Sequence, residues 1–159
     1  MLRMIFTLAA CGLLASIAFA DDKYVKLVQV SSDKVLAVAD NSDEAGAKAV
    51  VAKDDGGKSQ QWRLEKDGDH YKLVNRKSGK VLDVEQESLE DGGSIIQWDD
   101  KAEGNDNQRW SWEGDGKERR LKSKSSNLVL DVAEDASVIQ KKADDKAKGQ
   151  LWRVVEVKE

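Results

Sequence analysis

The sequence predicts an all-β protein made of three repeats with four short strands each. Three observations predict it. A landmark ending in tryptophan occurs three times, apolar and polar residues alternate within each repeat, and no long segment has the periodicity of a helix. The repeats cover roughly 22–65, 66–114 and 115–159. Twelve strands in one domain with pseudo-threefold symmetry are therefore expected.

The first twenty residues have the pattern of a secretory signal peptide. Arg3 precedes an apolar run over 4–20 that ends in Ala-Phe-Ala, just before two aspartates. A basic start, an apolar centre and small residues at the end indicate cleavage, here after Ala20. A lipoprotein signal lipidated at Cys11 and an uncleaved membrane anchor are the alternatives. We expect an exported protein, secreted or periplasmic, whose domain at 21–159 does not span a membrane.

Three landmarks recur in the same order in every repeat. A Gln stands two residues before a Trp, a Val-Leu-x-Val segment lies upstream, and another Leu precedes the Leu of that segment by nine residues. Such triplication is not expected by chance and indicates that the chain consists of three repeats of these landmarks. They are Leu27, Leu73 and Leu121, the segments 35–38, 81–84 and 129–132, and Trp62, Trp110 and Trp152.

The strands within each repeat follow from alternation with a period of two. Residues 70–74 and 110–112 alternate in this way, and a further short apolar strand occurs once per repeat, at 48–52, 94–97 and 137–140. Between the first two strands, the three repeats have residues that tolerate a positive φ, namely Asp33, Gly79 and Asn127. One type of tight turn is therefore predicted three times.

These landmarks resemble the signature of the ricin-B-type β-trefoil lectins. That signature is an LDV segment, an apolar strand and a closing Gln-x-Trp, and here it extends over the whole chain after the signal. The resemblance implies a β-trefoil, which is a six-stranded barrel capped by three hairpins, with the repeated Trp and Leu residues in its core. It also implies carbohydrate binding. The chain lacks the disulfides of many members, and Ala37 replaces the aspartate in the first repeat.

Composition argues against several other functions. With 26 basic and 30 acidic residues, the chain has a net charge of −4 and lacks the basic excess of nucleic-acid-binding proteins. One cysteine cannot form an intramolecular disulfide, and the single His70 has no nucleophile pattern nearby. The acidic run 99–106 could hold calcium, but it lacks the spacing of a calcium loop and is interpreted as solvated. We expect no metal, cofactor or nucleic-acid partner.

Comparing the repeats with one another identifies a candidate binding residue. A residue kept in all three repeats is interpreted as structural, whereas one found in a single repeat is free to bind a ligand. Trp98 ends a strand of the second repeat, and Lys53 and Lys141 are assigned to the matching positions of the others. Because burying an unpaired lysine is costly, this position is predicted to be exposed. An exposed tryptophan indicates contact with a partner.

The resemblance places Trp98 in a shallow sugar pocket with Asp83, Asn107 and Gln108. It implies that Asp83 accepts hydrogen bonds from two vicinal hydroxyls and that Trp98 stacks on the apolar face of the ring. Asn107 would contact a further hydroxyl, and Gln108 would support the Asp83 carboxylate. One open site of this kind is expected to bind a glycan or polysaccharide with a Kd in the millimolar to high-micromolar range, about 4–6 kcal/mol.

The corresponding pockets of the first and third repeats are expected to be lost. The first repeat has Ala37 and Ser59 in place of the aspartate and asparagine, whereas the third keeps Asp131 but has Lys141 and Gly149. Nothing in the sequence pairs two carboxylates at glycosidase spacing, so no catalysis is expected. The prediction is a lectin with one sugar pocket. The alternative is a trefoil that binds or inhibits proteins, which free monosaccharide would not displace.

Overall fold

The computed structural model describes residues 23–158. The predicted signal peptide, with its cleavage site after Ala20 and the alternative lipidation site at Cys11, lies outside the described residues. The described part contains twelve strands and five short 3₁₀ helices, joined by loops and turns. The strands are β1 (Tyr24–Gln29), β2 (Val35–Val38), β3 (Ala49–Ala52), β4 (Trp62–Asp67), β5 (His70–Asn75), β6 (Val81–Val84), β7 (Ile95–Trp98), β8 (Trp110–Glu113), β9 (Glu118–Ser123), β10 (Val129–Val132), β11 (Val138–Lys141) and β12 (Trp152–Glu156).

Six strands close into a barrel, and the other six form three hairpins. Around the barrel, the antiparallel order is β1, β4, β5, β8, β9, β12 and back to β1. The hairpins β2–β3, β6–β7 and β10–β11 each join the barrel through the strand that precedes them. This arrangement confirms the predicted β-trefoil of three four-stranded repeats.

The repeated tryptophans and leucines form the core, as the sequence predicts. Trp62, Trp110 and Trp152 are fully buried. Their indole nitrogens donate to the backbone oxygens of Leu36, Leu82 and Leu130 at 3.0, 3.2 and 3.5 Å. A buried indole N–H needs such a partner, and the hairpin carbonyl supplies it. The Gln-x-Trp and Val-Leu-x-Val landmarks therefore recur together because each Trp joins the barrel to the hairpin of its own repeat.

The tight turn predicted between the first two strands of each repeat is present three times. Asp33, Gly79 and Asn127 have φ values of 54°, 71° and 59°. Their backbone nitrogens donate to the last residue of the preceding strand at 2.9, 2.9 and 3.0 Å. A left-handed residue is tolerated best by Gly, Asn and Asp, which explains why only these residue types occupy the position.

Neighbouring repeats are joined where a loop of one repeat lies along a strand of the next, a contact that we call a seam. At the first seam, Gln97 of β7 donates through Nε2 to the backbone oxygens of Ser42 and Glu44 at 3.0 and 2.9 Å. At the second seam, Gln140 of β11 donates in the same way to Ser88 and Glu90 at 2.9 and 3.0 Å. The first seam fixes the loop 39–48 of the first repeat beside the end of β7.

Strand pairing corrects one sequence assignment. Trp98 lies opposite Val81 and Lys141 opposite Val129, but the residue opposite Val35 is Ala52. The prediction that Lys53 matches Trp98 is therefore wrong by one residue, because hairpin hydrogen bonding and not residue similarity sets the register. The prediction of exposure holds, since 41% of Trp98 is accessible.

Candidate functional site

The four candidate residues come together on one face of the second hairpin. Asp83 lies in β6 opposite Ile96 of β7, and Trp98 follows Ile96 by two residues, so all three side chains point to the same side. Asn107 and Gln108 lie in the 3₁₀ helix Asp106–Gln108, directly before β8. The structure thus brings together residues that are separated by up to 25 positions in the sequence.

Asp83 is a buried carboxylate held by two amide groups. Only 3% of the residue is exposed. Its Oδ1 accepts from Asn107 Nδ2 at 3.0 Å, and its Oδ2 accepts from Gln108 Nε2 at 2.7 Å. The same two nitrogens also donate to the backbone oxygens of Val84 and Asp99 at 3.0 and 2.9 Å. Each carboxylate oxygen keeps acceptor capacity for a ligand, because only one hydrogen bond to it is used.

The two amide side chains have different roles in this geometry. Gln108 is fully buried, and its Oε1 accepts from the backbone nitrogen of Lys101 at 3.0 Å, so Gln108 positions the carboxylate and the loop. Asn107 uses both Nδ2 hydrogens internally, so its Oδ1 is the polar atom of this amide that keeps capacity for other partners. Lys101 Nζ lies 3.3 Å from that oxygen and 2.7 Å from Glu87 Oε1. Lys101 therefore provides a donor beside the acceptors of Asp83 and Asn107.

A cavity of about 460 Å³ opens over these groups. Sequence reasoning identifies only part of its lining. In the sequence, Lys101 lies close to Trp98, and Glu87 lies close to the Val-Leu-Asp-Val segment. This proximity is the only sequence signal that could have identified them as lining residues. Gly46 belongs to the first repeat, and no sequence pattern connects it with the site. The full lining is Gly46, Asp83, Glu85, Gln86, Glu87, Ile96, Trp98, Lys101 and Asn107.

Burial raises the pKa of the Asp83 carboxyl above its ordinary value of 3.8. Desolvation is the main cause, because it disfavours the charged form. The N–H of Gln108, the positive charge of Lys101 and the N–H of Asn107 each lower the pKa, but they only partly offset burial. The result is a carboxylate that is fixed in place, weakly solvated and ready to accept hydrogen bonds from a ligand.

The third repeat has the aspartate, Asp131, but its carboxylate makes different hydrogen bonds from that of Asp83. Asp131 Oδ2 accepts from Gln150 Nε2 at 3.0 Å, while Oδ1 accepts from the backbone nitrogen of Val132 at 2.7 Å. A Cβ at Gly149 would clash with Asp131 Oδ1, so the carboxylate occupies the space that the Asn107 side chain fills in the second repeat. Asp131 is thus turned to its own backbone, and Lys141 stands where Trp98 would be.

The first repeat lacks the carboxylate altogether. Ala37 replaces it, and Ser59 Oγ donates to Asn41 Oδ1 at 2.5 Å. Within residues 23–158, no group of three or more His, Cys, Asp and Glu side chains is placed to hold a metal ion. Nor does any helix in this part of the chain have the length and apolar character needed to cross a membrane.

Comparison with known proteins gives a family match and many structural matches. The family model described as "ricin-type beta-trefoil lectin domain-like" matches residues 17–98. A designed threefold-symmetric protein, ThreeFoil, is 38% identical with a TM-score of 0.78, and the match covers 84% of this chain and 99% of ThreeFoil. No curated protein sequence matches significantly.

Two natural proteins illustrate the range of structural matches. An exo-β-1,3-galactanase from Clostridium thermocellum is 38% identical with a TM-score of 0.78 over 86% of this chain. The match spans only 31% of that enzyme's chain. A ricin B-like lectin from Macrolepiota procera, solved with lactose, has a TM-score of 0.70 at 18% identity, with 87% of this chain and 99% of the lectin covered. At that identity the lectin shows a shared fold alone.

Proposed function

The chain belongs to the family of ricin-type β-trefoil lectin-like domains, and from this premise we propose that it binds carbohydrate without catalysis. The proposed site is the pocket of the second repeat, formed by Asp83, Trp98, Asn107 and Gln108. The observation that carries the proposal is the buried, amide-braced Asp83 carboxylate beside an indole that is 41% exposed.

This combination suits a pyranose ring. The two oxygens of Asp83 can accept from two vicinal hydroxyls, and hydrogen bonds to a charged group contribute about 1.5–3 kcal/mol each. Trp98 offers a flat apolar surface to the C–H face of the ring. Lys101 Nζ donates to Asn107 Oδ1 at 3.3 Å. Both atoms keep capacity for another hydroxyl, the oxygen as an acceptor and the ammonium as a donor. Such a pocket would select a sugar by the stereochemistry of its hydroxyls and by the ring face that it presents to Trp98.

The relatives support a carbohydrate ligand and suggest the first probes. The Clostridium thermocellum relative is an exo-β-1,3-galactanase, and the Macrolepiota procera lectin was solved in complex with lactose. We propose a non-enzymatic role for this chain because, of the three carboxylates that line the pocket, Asp83, Glu85 and Glu87, only Asp83 is buried. Galactose-containing glycans are therefore the first ligands to test.

Export is part of the proposal, because the apolar start of the chain has the pattern of a cleaved signal. Expression in the native cell should place the protein outside the cytoplasm, secreted or periplasmic. Amino-terminal sequencing of that protein is expected to begin at Asp21. A lipid-modified protein that begins at Cys11 would favour the lipoprotein alternative.

A glycan array with the purified protein tests the proposed function. We expect binding to a limited set of glycans that share a terminal sugar, and we expect the free monosaccharide to inhibit it at millimolar concentration. A blank array, together with a protein partner that free sugars do not displace, would instead support the alternative of a protein-binding trefoil.

Acidification is expected to release the sugar at a higher pH than the ordinary aspartate pKa would suggest. Binding uses the ionised carboxylate, and burial raises the pKa of Asp83. Because this pKa is raised on folding, the folded protein is less stable with Asp83 ionised than with Asp83 protonated. This difference disappears as the pH falls. Release through Asp83 therefore does not require unfolding. Calorimetric titrations at decreasing pH measure the affinity.

Thermal unfolding at each pH is the control for that experiment. A native fold with reduced affinity would support titration of Asp83. Affinity that stays constant until the pH reaches the ordinary aspartate value would contradict it.

A further inference from the structure

We infer that the site binds an oligosaccharide and not just one sugar, because its cavity continues across the first seam onto Gly46 of the first repeat. This inference rests on the proposed function and adds a second subsite to it. Gly46 and Trp98 line the same cavity as Asp83 and Asn107, although Gly46 lies outside the second repeat. The space beside Trp98 is therefore formed by two repeats.

Gly46 brings its backbone close to the indole. A Cβ built on Gly46 would lie 3.5 Å from Trp98 Cζ3, which is ordinary van der Waals contact. A side chain at this position would contact the benzo ring of Trp98 at the wall of the cavity that Gly46 lines. The glycine thus leaves room at the Cζ3 edge of the indole, where a second sugar unit would lie after the first has bound at Asp83 and stacked on the face of the ring.

The first seam holds this wall in place before a ligand arrives. The Gly46 nitrogen donates to the Gln97 backbone oxygen at 2.8 Å, and the Gln97 nitrogen donates to Ala47 at 2.9 Å. The Gln97 side chain also binds the backbone oxygens of Ser42 and Glu44. A loop fixed at both of these points loses little conformational freedom on binding, so contacts with it contribute to affinity.

Comparison with the second seam shows that the fold alone does not produce the contact between a glycine and an aromatic ring seen at Gly46 and Trp98. Gly92 has a φ of 89° against 87° for Gly46, and its nitrogen donates to the Gln140 oxygen at 2.7 Å. A Cβ on Gly92 would meet nothing within 4 Å, and Lys141 takes the place of Trp98 there. A glycine with a positive φ and the same backbone hydrogen bond occurs at both of these seams, but only at the first does it lie against an aromatic ring.

The size of the cavity agrees with this extension. Its volume of about 460 Å³ falls within the range of about 300–1,000 Å³ that is typical of pockets for drug-sized ligands, and a single hexose is smaller than such ligands. One pyranose over Asp83 would leave the Gly46 side unfilled. A glycosidic extension past the Cζ3 edge of Trp98 toward Gly46 would fill it.

Calorimetry with matched saccharides tests the inference. The probes are galactose, glucose and N-acetylglucosamine, against lactose, cellobiose and chitobiose. We expect the bound disaccharide to have a Kd lower than that of its monosaccharide by on the order of tenfold. Gly46→Asn is expected to remove that advantage and to change the monosaccharide Kd by less than about threefold. Asparagine is chosen because it tolerates a positive φ.

Gly92→Asn is the matched control, because it imposes the same backbone cost at the second seam. Gly92→Asn should leave both affinities unchanged and lower the midpoint of thermal unfolding as much as Gly46→Asn does. Equal affinity for monosaccharide and disaccharide, or an equal loss in both variants, would overturn the second subsite while the proposed function stands. If none of the six saccharides binds the parent protein, the proposed function fails and the inference fails with it.

Discussion

Replacing Trp98 by alanine is expected to abolish detectable glycan binding while the protein stays folded. Covering the apolar face of a sugar with a large apolar side chain contributes up to about 3 kcal/mol, and the whole site is expected to provide about 4–6 kcal/mol. Removing the stacking therefore moves the Kd beyond the range of calorimetry. Because 41% of Trp98 is exposed, the free energy of unfolding should change by less than about 1 kcal/mol. Trp98→Phe, which keeps a flat ring, should retain part of the affinity.

The chain offers a matched control in Lys141, which occupies the register position of Trp98 in the third repeat. Lys141→Ala should leave glycan binding unchanged. If Trp98→Ala binds glycans as well as the parent protein does, the assignment of the pocket is wrong.

Replacing Asp83 by alanine should also abolish binding, but with a measurable loss of stability. Two hydrogen bonds to the ligand disappear, which corresponds to a loss of affinity of about 100-fold or more. The amide nitrogens of Asn107 and Gln108 lose the carboxylate but keep the backbone oxygens of Val84 and Asp99. We expect the free energy of unfolding to fall by about 1–3 kcal/mol. Calorimetry and thermal unfolding measure the two effects separately.

Asp131→Ala is the control for this variant. Asp131 also braces a Gln, through Gln150 Nε2 at 3.0 Å, so its removal should cost comparable stability without any loss of affinity. A loss of glycan binding in Asp131→Ala would show that the third repeat takes part in recognition. Retained binding in Asp83→Ala would remove the central residue of the proposed site.

The sequence predicts the fold because its structural residues repeat and the residues that line its pocket do not. Trp62, Trp110 and Trp152 each satisfy the same buried contact, so the same residue is required three times. The turns at Asp33, Gly79 and Asn127 recur for an equally local reason, a positive φ. Triplication thus works as an internal alignment wherever the constraint is the same in each repeat.

The sequence is less informative where the site depends on register and on contacts between repeats. Lys53 looks like the counterpart of Trp98, but backbone pairing gives that position to Ala52. The contribution of Gly46 depends on how the first repeat docks on the second, which no pattern within one repeat records. Asp131 keeps the aspartate of the motif, yet its turn toward the backbone of Val132 follows from Gly149 and is visible only in three dimensions.

The seam at Gln97 has a consequence for how such a protein can be divided or evolve. One repeat is the unit of duplication, but the cavity beside Trp98 needs the loop of the repeat before it. The smallest piece of this chain that could form the whole cavity is therefore a pair of adjacent repeats. Duplicating or transplanting the second repeat alone would copy Asp83 and Trp98 but lose the Gly46 side of the cavity wall. The cavity is thus formed at the junction between two copies of the repeat.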